Sequence, residues 1–169
     1  MIYEYIKTFG SDLTCLKLKV IDKMCLKSNH YWLMAIIPKL TSLKTLKLYQ
    51  NEANSFGEDG HKFLQKAMNY FHKNGGLLQK VQMSNVYQRT SGDFLYPTLK
   101  CLPDLQILSF KDNMLAANDC KAIGKVLSDF KNIRELDLRN CMLDTTKGKE
   151  IADGLMRAKQ LEIIKLNDN

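Results

Sequence analysis

The sequence predicts an α/β fold built as a solenoid, in which each repeat is one strand followed by one helix. Three segments support this prediction: LQILSFKDNML begins at Leu105, IRELDLRNCML at Ile133 and LEIIKLNDN at Leu161. Their starts are 28 residues apart, and each has apolar residues at its first, fourth and sixth positions. Between the segments the apolar spacing changes to that of a helix. We therefore expect a horseshoe-shaped arc with six parallel strands on its concave side and helices on its convex side.

Weaker versions of the same segment begin near residues 13, 43 and 78, which makes six repeats in all. The starts are separated by 30, 35, 27, 28 and 28 residues. We expect a single repeat domain over residues 1–169, with loops at 51–60 and 74–76 taking up the longer steps. The last repeat stops directly after its strand. We therefore expect the chain to be part of a longer array, or to assemble through the open edge of strand 161–166.

Within each strand the residues alternate between the core and the solvent. In the fifth repeat this alternation places Leu136 and Leu138 in the core. It places Glu135, Asp137 and Arg139 on the solvent side. The third, fifth and seventh positions of every repeat therefore share the concave face.

The ninth position turns the chain out of the strand, and a polar side chain there can bond backbone groups that would otherwise be buried unpaired. Four repeats have such a residue at this position: Asn51, Asn113, Cys141 and Asn169. The other two have Ile21 and Val86, so we expect irregular turns at those two places.

Helical periodicity predicts an apolar face in three of the repeats. The faces comprise Gly60, Leu64, Ala67, Met68 and Phe71 in the second repeat, Cys120, Ile123, Val126, Leu127 and Phe130 in the fourth, and Gly148, Ile151, Ala152 and Leu155 in the fifth. Cys120 and Gly148 occupy equivalent positions, where a small residue would let the helix approach the sheet. Asn118 and the run DTT at 144–146 are the predicted N-terminal caps.

Two prolines limit the remaining helices. Pro38 should end or kink a helix predicted at 29–39, because proline cannot donate the helical hydrogen bond. Pro97 should make the helix near 92–102 short or partly 3₁₀ for the same reason.

Helices in every repeat and a period near 28 residues make the chain similar to the ribonuclease-inhibitor-like class of leucine-rich repeats. The resemblance rests on LQILSFKDNML, IRELDLRNCML and LKTLKLYQNEA, and it extends over residues 13–169. It implies a non-enzymatic scaffold that binds another protein. The same class includes the Ran-directed GTPase-activating protein, which gives an alternative function. That activity needs an acidic partner-facing surface, whereas the concave face predicted here is mostly basic.

Composition gives the chain a basic character without a concentrated charge run. The net charge is +7, from 25 Lys and Arg against 18 Asp and Glu. The five cysteines form no C-x-x-C pair, so the pattern indicates neither a disulfide framework nor a zinc site. The chain has no apolar signal segment and no stretch of 18 apolar residues. We expect a reducing, cytoplasmic location and no contact with a membrane.

The sequence contains no catalytic constellation. His30, His61 and His72 are far apart and lack metal-ligand spacing to a cysteine or carboxylate, so we expect all three at a surface or an interface. Cys15 is expected on the concave face. Three other cysteines should be small core residues: Cys101, Cys120 and Cys141. We predict no enzymatic activity, no cofactor and no metal.

Partner binding is expected on the concave face. The candidate residues are Lys17, Lys47, Tyr49, Lys80, Gln82, Ile107, Lys111, Asp137, Arg139 and Lys165. The first four strands contribute five lysines and no acidic residue to this face, which suits an acidic protein surface. The lysines can equally serve only to keep an exposed sheet hydrated, and both interpretations stay open. Tyr49 is the only aromatic residue there, which disfavours RNA or another nucleic acid as the partner.

Overall fold

The protein forms one open sheet of six parallel strands, and the strands follow one another across the sheet in chain order. A computed structural model describes residues 12–20, 35–50, 57–87 and 94–169. The strands are β1 (Cys15–Val20), β2 (Thr45–Gln50), β3 (Lys80–Ser84), β4 (Ile107–Ser109), β5 (Glu135–Asp137) and β6 (Ile163–Lys165). The predictions for Ile21, His30 and Asn51 lie outside the described residues.

The pairing register follows the predicted repeat phase. Residues at the third position of each repeat are paired across the whole sheet: Cys15, Thr45, Lys80, Ile107, Glu135 and Ile163. Because side chains alternate along a strand, this register brings every fourth and sixth position to one face. The predicted strands and their phase are confirmed.

Those fourth and sixth positions form the buried face of the sheet. In β2 to β5 and the residues that follow them, these side chains are almost completely buried: Leu46, Leu48, Val81, Met83, Leu108, Phe110, Leu136 and Leu138. Burying a leucine side chain contributes roughly 1.5–3 kcal/mol. The equivalent residues in the last repeat, Ile164 and Leu166, are 45% and 47% exposed. Assembly through strand 161–166 stays a prediction.

Four α-helices lie in the described residues, and their buried side chains form one hydrophobic cluster with the strands. The helices are α1 (Gly57–Lys73), α2 (Leu95–Lys100), α3 (Ala117–Leu127) and α4 (Thr145–Arg157). The apolar faces predicted in the second and fourth repeats are buried throughout. Pro97 lies inside the six-residue α2, and Pro38 lies in a 3₁₀ turn at Ile37–Lys39, as the proline positions predict. Residues 29–34 of the first predicted helix are outside the described residues.

The predicted face of α4 is correct at Ile151, which is buried, and at Leu155, which packs against the core. It is wrong at Gly148 and Ala152, which are exposed, and it omits Gly154 and Ala158, which are buried. The cause is a close contact between helices. A Cβ atom on Gly154 would lie 2.0 Å from the backbone oxygen of Gly124 in α3, while one on Gly148 would meet nothing within 4 Å. The small residue of this repeat is therefore Gly154, and it allows α4 to approach α3; the prediction had a small residue allowing the helix to approach the sheet.

One of the two predicted helix caps is confirmed. The Asp144 side chain accepts a hydrogen bond of 2.9 Å from the backbone N–H of Lys147, as an N-cap does. Asn118 is not a cap, because α3 begins one residue earlier, at Ala117. Its first turn is stabilised instead by Asp119, whose carboxylate accepts a hydrogen bond of 2.8 Å from the backbone N–H of Ala116.

The polar side chains at the ninth position join each turn to the repeat before it. Asn113 donates to the Met83 carbonyl at 2.6 Å and accepts from the Tyr87 N–H at 2.8 Å. The Cys141 thiol donates to the Phe110 carbonyl at 3.0 Å, and Asn169 donates to the Leu138 carbonyl at 2.8 Å. This confirms the predicted role of the ninth position in these three turns.

In the last four repeats, the residue before the ninth position adopts a left-handed backbone conformation. Asn85, Asp112, Asn140 and Asp168 have φ angles of 57°, 63°, 51° and 62°. Asparagine and aspartate tolerate this region better than other residues with a Cβ atom. The turn at Val86 keeps the same conformation. Its predicted irregularity shows in a hydrogen bond displaced by one residue: the Asn85 N–H donates to the Asp112 carbonyl, whereas the Asp112 N–H donates to the Arg139 carbonyl, one position earlier in its repeat.

Candidate partner-binding surface

The face of the sheet opposite the helices is called here the exposed sheet face. The strand register brings eight of the ten predicted binding residues to it: Lys17, Lys47, Tyr49, Lys80, Gln82, Ile107, Asp137 and Lys165. The other two, Lys111 and Arg139, lie two residues beyond the ends of β4 and β5. The structure therefore aligns on one face residues that are up to about 150 positions apart in the chain, because parallel strands in register align equivalent positions.

Lysines on β1, β2 and β3 form the basic part of this face. Lys17 and Lys19 are exposed, and Lys47 and Lys80 are half-buried. Lys17 and Lys47 are direct partners in the register, so two lysine side chains leave the sheet from adjacent positions. The Lys17 Nζ atom lies 5.2 Å from the centre of the Tyr49 ring, a cation–π contact that helps to hold the chain of Lys17 over β2.

None of the ion pairs formed among the described residues includes these four lysines. Lys111, at the end of β4, lies 3.8 Å from the carboxylate of Asp112, its neighbour in the chain. The N-terminal strands therefore present positive charge that no carboxylate of the described residues neutralises.

The C-terminal strands carry charges that neutralise one another. The Lys165 Nζ atom lies 2.6 Å from a Glu135 carboxylate oxygen. Arg139 donates two hydrogen bonds to Asp137, at 2.9 Å from Nε and 2.7 Å from Nη2, which is a bidentate pair. Both pairs link positions of the exposed sheet face to each other.

Asp137 is not the exposed residue that the strand pattern predicts. It is 3% exposed, because Arg139 covers it and the hydroxyl group of the buried Ser109 donates to it at 3.4 Å. Burial alone would raise the pKa of the Asp137 carboxyl. The hydrogen bonds from the side chain and backbone of Arg139, together with the Arg139 charge, instead hold this pKa below its ordinary value. Asp137 is therefore an ionised group turned toward its own chain, and a partner cannot reach it.

His61 is also wrongly predicted. It is 1% exposed, and its ring is stacked on that of Tyr87 with the centres 4.5 Å apart. His61 is the fifth residue of the long helix α1, where the sequence places it near a surface, but packing of α1 against Tyr87, in the turn of the third repeat, buries it. His72 is exposed, as predicted.

The four cysteines among the described residues follow the predicted pattern with one exception. Cys15 is exposed, Cys120 and Cys141 are buried, and Cys101 is only half-buried. Burial raises the pKa of the Cys120 and Cys141 thiols to about 12, so both are neutral at physiological pH. These two thiols are therefore structural groups.

Sequence reasoning missed two features of this surface: the burial of Ser109 and the pairing of Glu135 with Lys165. A signal for the second was present. Glu135 and Lys165 occupy the third and fifth positions of consecutive repeats, and parallel strands in register bring such positions close together. Nothing local in the sequence marks Ser109, because its burial depends on Asp137 and Arg139 of the next repeat.

Within the described residues, no helix combines the length and the apolar character that crossing a bilayer requires. The same residues contain no group of three or more His, Cys, Asp or Glu side chains placed to hold a metal ion. Comparison with protein-family models and with curated proteins finds no match to the chain.

Proposed function

We propose that the chain is a leucine-rich-repeat solenoid of the ribonuclease-inhibitor-like class, and that it works as a non-enzymatic scaffold. In this proposal the sheet curves with its exposed face on the concave side, and another protein with an acidic surface binds there. The in-register strands and the bonds made by Asn113, Cys141 and Asn169 to the preceding repeats support a stacked repeat architecture.

The observation that carries the binding proposal is the contrast between the two faces of the sheet. One face is buried beneath helices, whereas the other leaves Lys17, Lys19, Lys47 and Lys80 without an ion pair among the described residues. Lysine costs conformational entropy to immobilise, and adjacent like charges repel each other. A row of such residues contributes little to folding, but it steers an acidic protein to the surface and selects against basic ones.

Capture of partners from an extract of the source cells tests this proposal. The strand-face variant carries Lys47→Glu, Lys80→Glu and Lys111→Glu. The control variant carries Lys121→Glu, Lys149→Glu and Lys159→Glu, which make the same charge change at exposed positions on or next to helices α3 and α4. We expect immobilised wild type and control to capture the same protein and the strand-face variant to lose it, as read by mass spectrometry. Equal capture by all three proteins would place the binding site elsewhere on the molecule.

A further inference from the structure

The exposed sheet face has two parts, one in which the charged side chains do not form ion pairs with each other and one in which they do. The basic patch comprises Lys17, Lys19, Lys47 and Lys80 around Tyr49, on β1 to β3. The paired segment comprises Glu135, Asp137, Arg139 and Lys165, on β5, β6 and the residues that follow β5. Both parts were predicted to bind a partner. Only the first has charges that are not already engaged with each other.

The basic patch has the dimensions of a short peptide segment. Its three strands span about 10 Å across the sheet, and its residues span about 13 Å along the strands. Lys17 and Lys19 are two residues apart on one strand, so their Cα atoms are separated by roughly 6.6 Å. Alternate side chains of an extended acidic segment have the same spacing, so two carboxylates can meet these two lysines at once. Lys47 and Lys80 extend the patch beside them.

The electrostatics of the patch also favour a ligand of opposite charge. Like charges directly opposite each other in a sheet are destabilising, and Lys17 and Lys47 are in that relation. Carboxylates placed between them would remove the repulsion. In the paired segment, a partner's carboxylate would have to displace Asp137 from its bidentate contact with Arg139 or Glu135 from Lys165. The exchange replaces one carboxylate by another and gains little.

We propose that an Asp/Glu-rich segment of the partner protein docks on the basic patch, and that the paired segment stabilises the sheet instead of binding. This inference rests on the proposed function and assigns the chemistry of the partner and its position on the face. Tyr49, beside Lys19 at the carboxyl end of the patch, supplies an aromatic ring to the site, and Lys17 lies over one face of that ring.

Fluorescence anisotropy with labelled octapeptides tests this assignment. One probe alternates Glu and Ser, and the other alternates Gln and Ser. We expect the full chain to bind the Glu peptide, and the triple variant Lys17→Gln, Lys47→Gln, Lys80→Gln to bind it at least about tenfold more weakly. The double variant Arg139→Gln, Lys165→Gln should bind the Glu peptide less than about threefold more weakly than wild type does. The triple variant Lys121→Gln, Lys149→Gln, Lys159→Gln is the matched control away from the face.

Thermal melting separates binding from folding in these variants. We expect the basic-patch variant to melt at the same temperature as wild type or above it, because the substitutions remove repulsion. The double variant should melt at a lower temperature, because Asp137 and Glu135 lose their partners. If the basic patch served only folding, the basic-patch variant would instead melt at a lower temperature than the double variant.

Three results would overturn the proposal. The first is equal binding of the two peptides. The second is an equal loss of affinity in the Lys17/Lys47/Lys80→Gln variant and the Arg139/Lys165→Gln variant. The third is tighter binding of a single-stranded RNA octamer than of the Glu peptide through the same lysines. The capture experiment keeps the two proposals distinguishable. If the Glu peptide fails to bind but the strand-face variant still loses its captured protein, the scaffold stands and the acidic segment does not.

Discussion

The N-terminal and C-terminal parts of the sheet share one register and one alternation of side chains, yet they differ in how their polar groups are satisfied. On β5 and β6 the charged side chains of the exposed sheet face bond to one another. On β1 to β3 the lysines of the same face remain outside every ion pair formed among the described residues. The difference indicates that the charges of the C-terminal strands are engaged with one another, while those of the N-terminal strands are open to contacts with another molecule.

The turns repeat the same contrast. Asn113, Cys141 and Asn169 each bond a carbonyl of the preceding repeat, so each turn is anchored to its neighbour by a side chain. At the equivalent position of the third repeat, Val86 is buried but can make no such bond. The C-terminal repeats therefore depend on specific polar contacts, and the substitution of one side chain should show this.

The largest effect is expected for Asn113→Ala. It leaves the Met83 carbonyl and the Tyr87 N–H without the partner they now have, in a buried turn. We expect a loss of about 3 kcal/mol in the free energy of unfolding, measured by urea denaturation. Asn132→Ala is the control, because Asn132 is exposed and makes one long contact of 3.5 Å with Asp104. A similar loss for both would show that Asn113 does not anchor its turn.

An intermediate effect is expected where α3 and α4 meet. Gly154→Ala places a Cβ atom against the backbone of Gly124, so the helices must separate. We expect a loss of about 2 kcal/mol in stability. Gly148→Ala on the same helix has open space, and it should raise stability by about 0.5–1 kcal/mol because alanine favours the helix. Thermal melts of both variants measure the difference, and a loss in both would contradict the close approach at Gly154.

The smallest effect is expected for Asp137→Asn, and it depends on pH. The pKa of Asp137 is held below its ordinary value of 3.8 in the folded chain. The stability that this ion contributes is therefore fully present above that value and disappears as the pH falls through the lowered pKa. We expect wild type to melt above the variant at neutral pH, and the gap to close in acid. A gap that is unchanged from pH 7 to pH 2 would mean that the Arg139 contact does not depend on the carboxylate charge.

The period of the apolar residues was sufficient to predict the six strands, their parallel order and their phase. Leu136 and Leu138 are buried where the alternation puts them, and the ninth-position asparagines bond the backbone as expected. These features follow from interactions that repeat with the sequence period. Eight of the residues predicted to bind a partner lie on one face for the same reason.

Features that involve two repeats were harder to predict. Gly154 is the residue of α4 that contacts α3, and His61 is buried. Both depend on how the helices pack against their neighbours, which the apolar pattern of a single helix does not specify. Asp137 alternates outward as predicted, but Arg139 and Ser109 then cover it. A strand pattern gives the direction of a side chain and says nothing about what another side chain will place over it.

The sequence by itself determined the repeat, the strand register and the basic character of the exposed sheet face, because each depends on spacing along the chain. Only the tertiary structure decided which charges neutralise each other and which stay open, because ion pairing depends on distances between side chains of different repeats. Lys165 and Lys47 occupy the same position of the same motif. Lys165 forms an ion pair with Glu135, whereas Lys47 has Lys17 as its partner in the strand register.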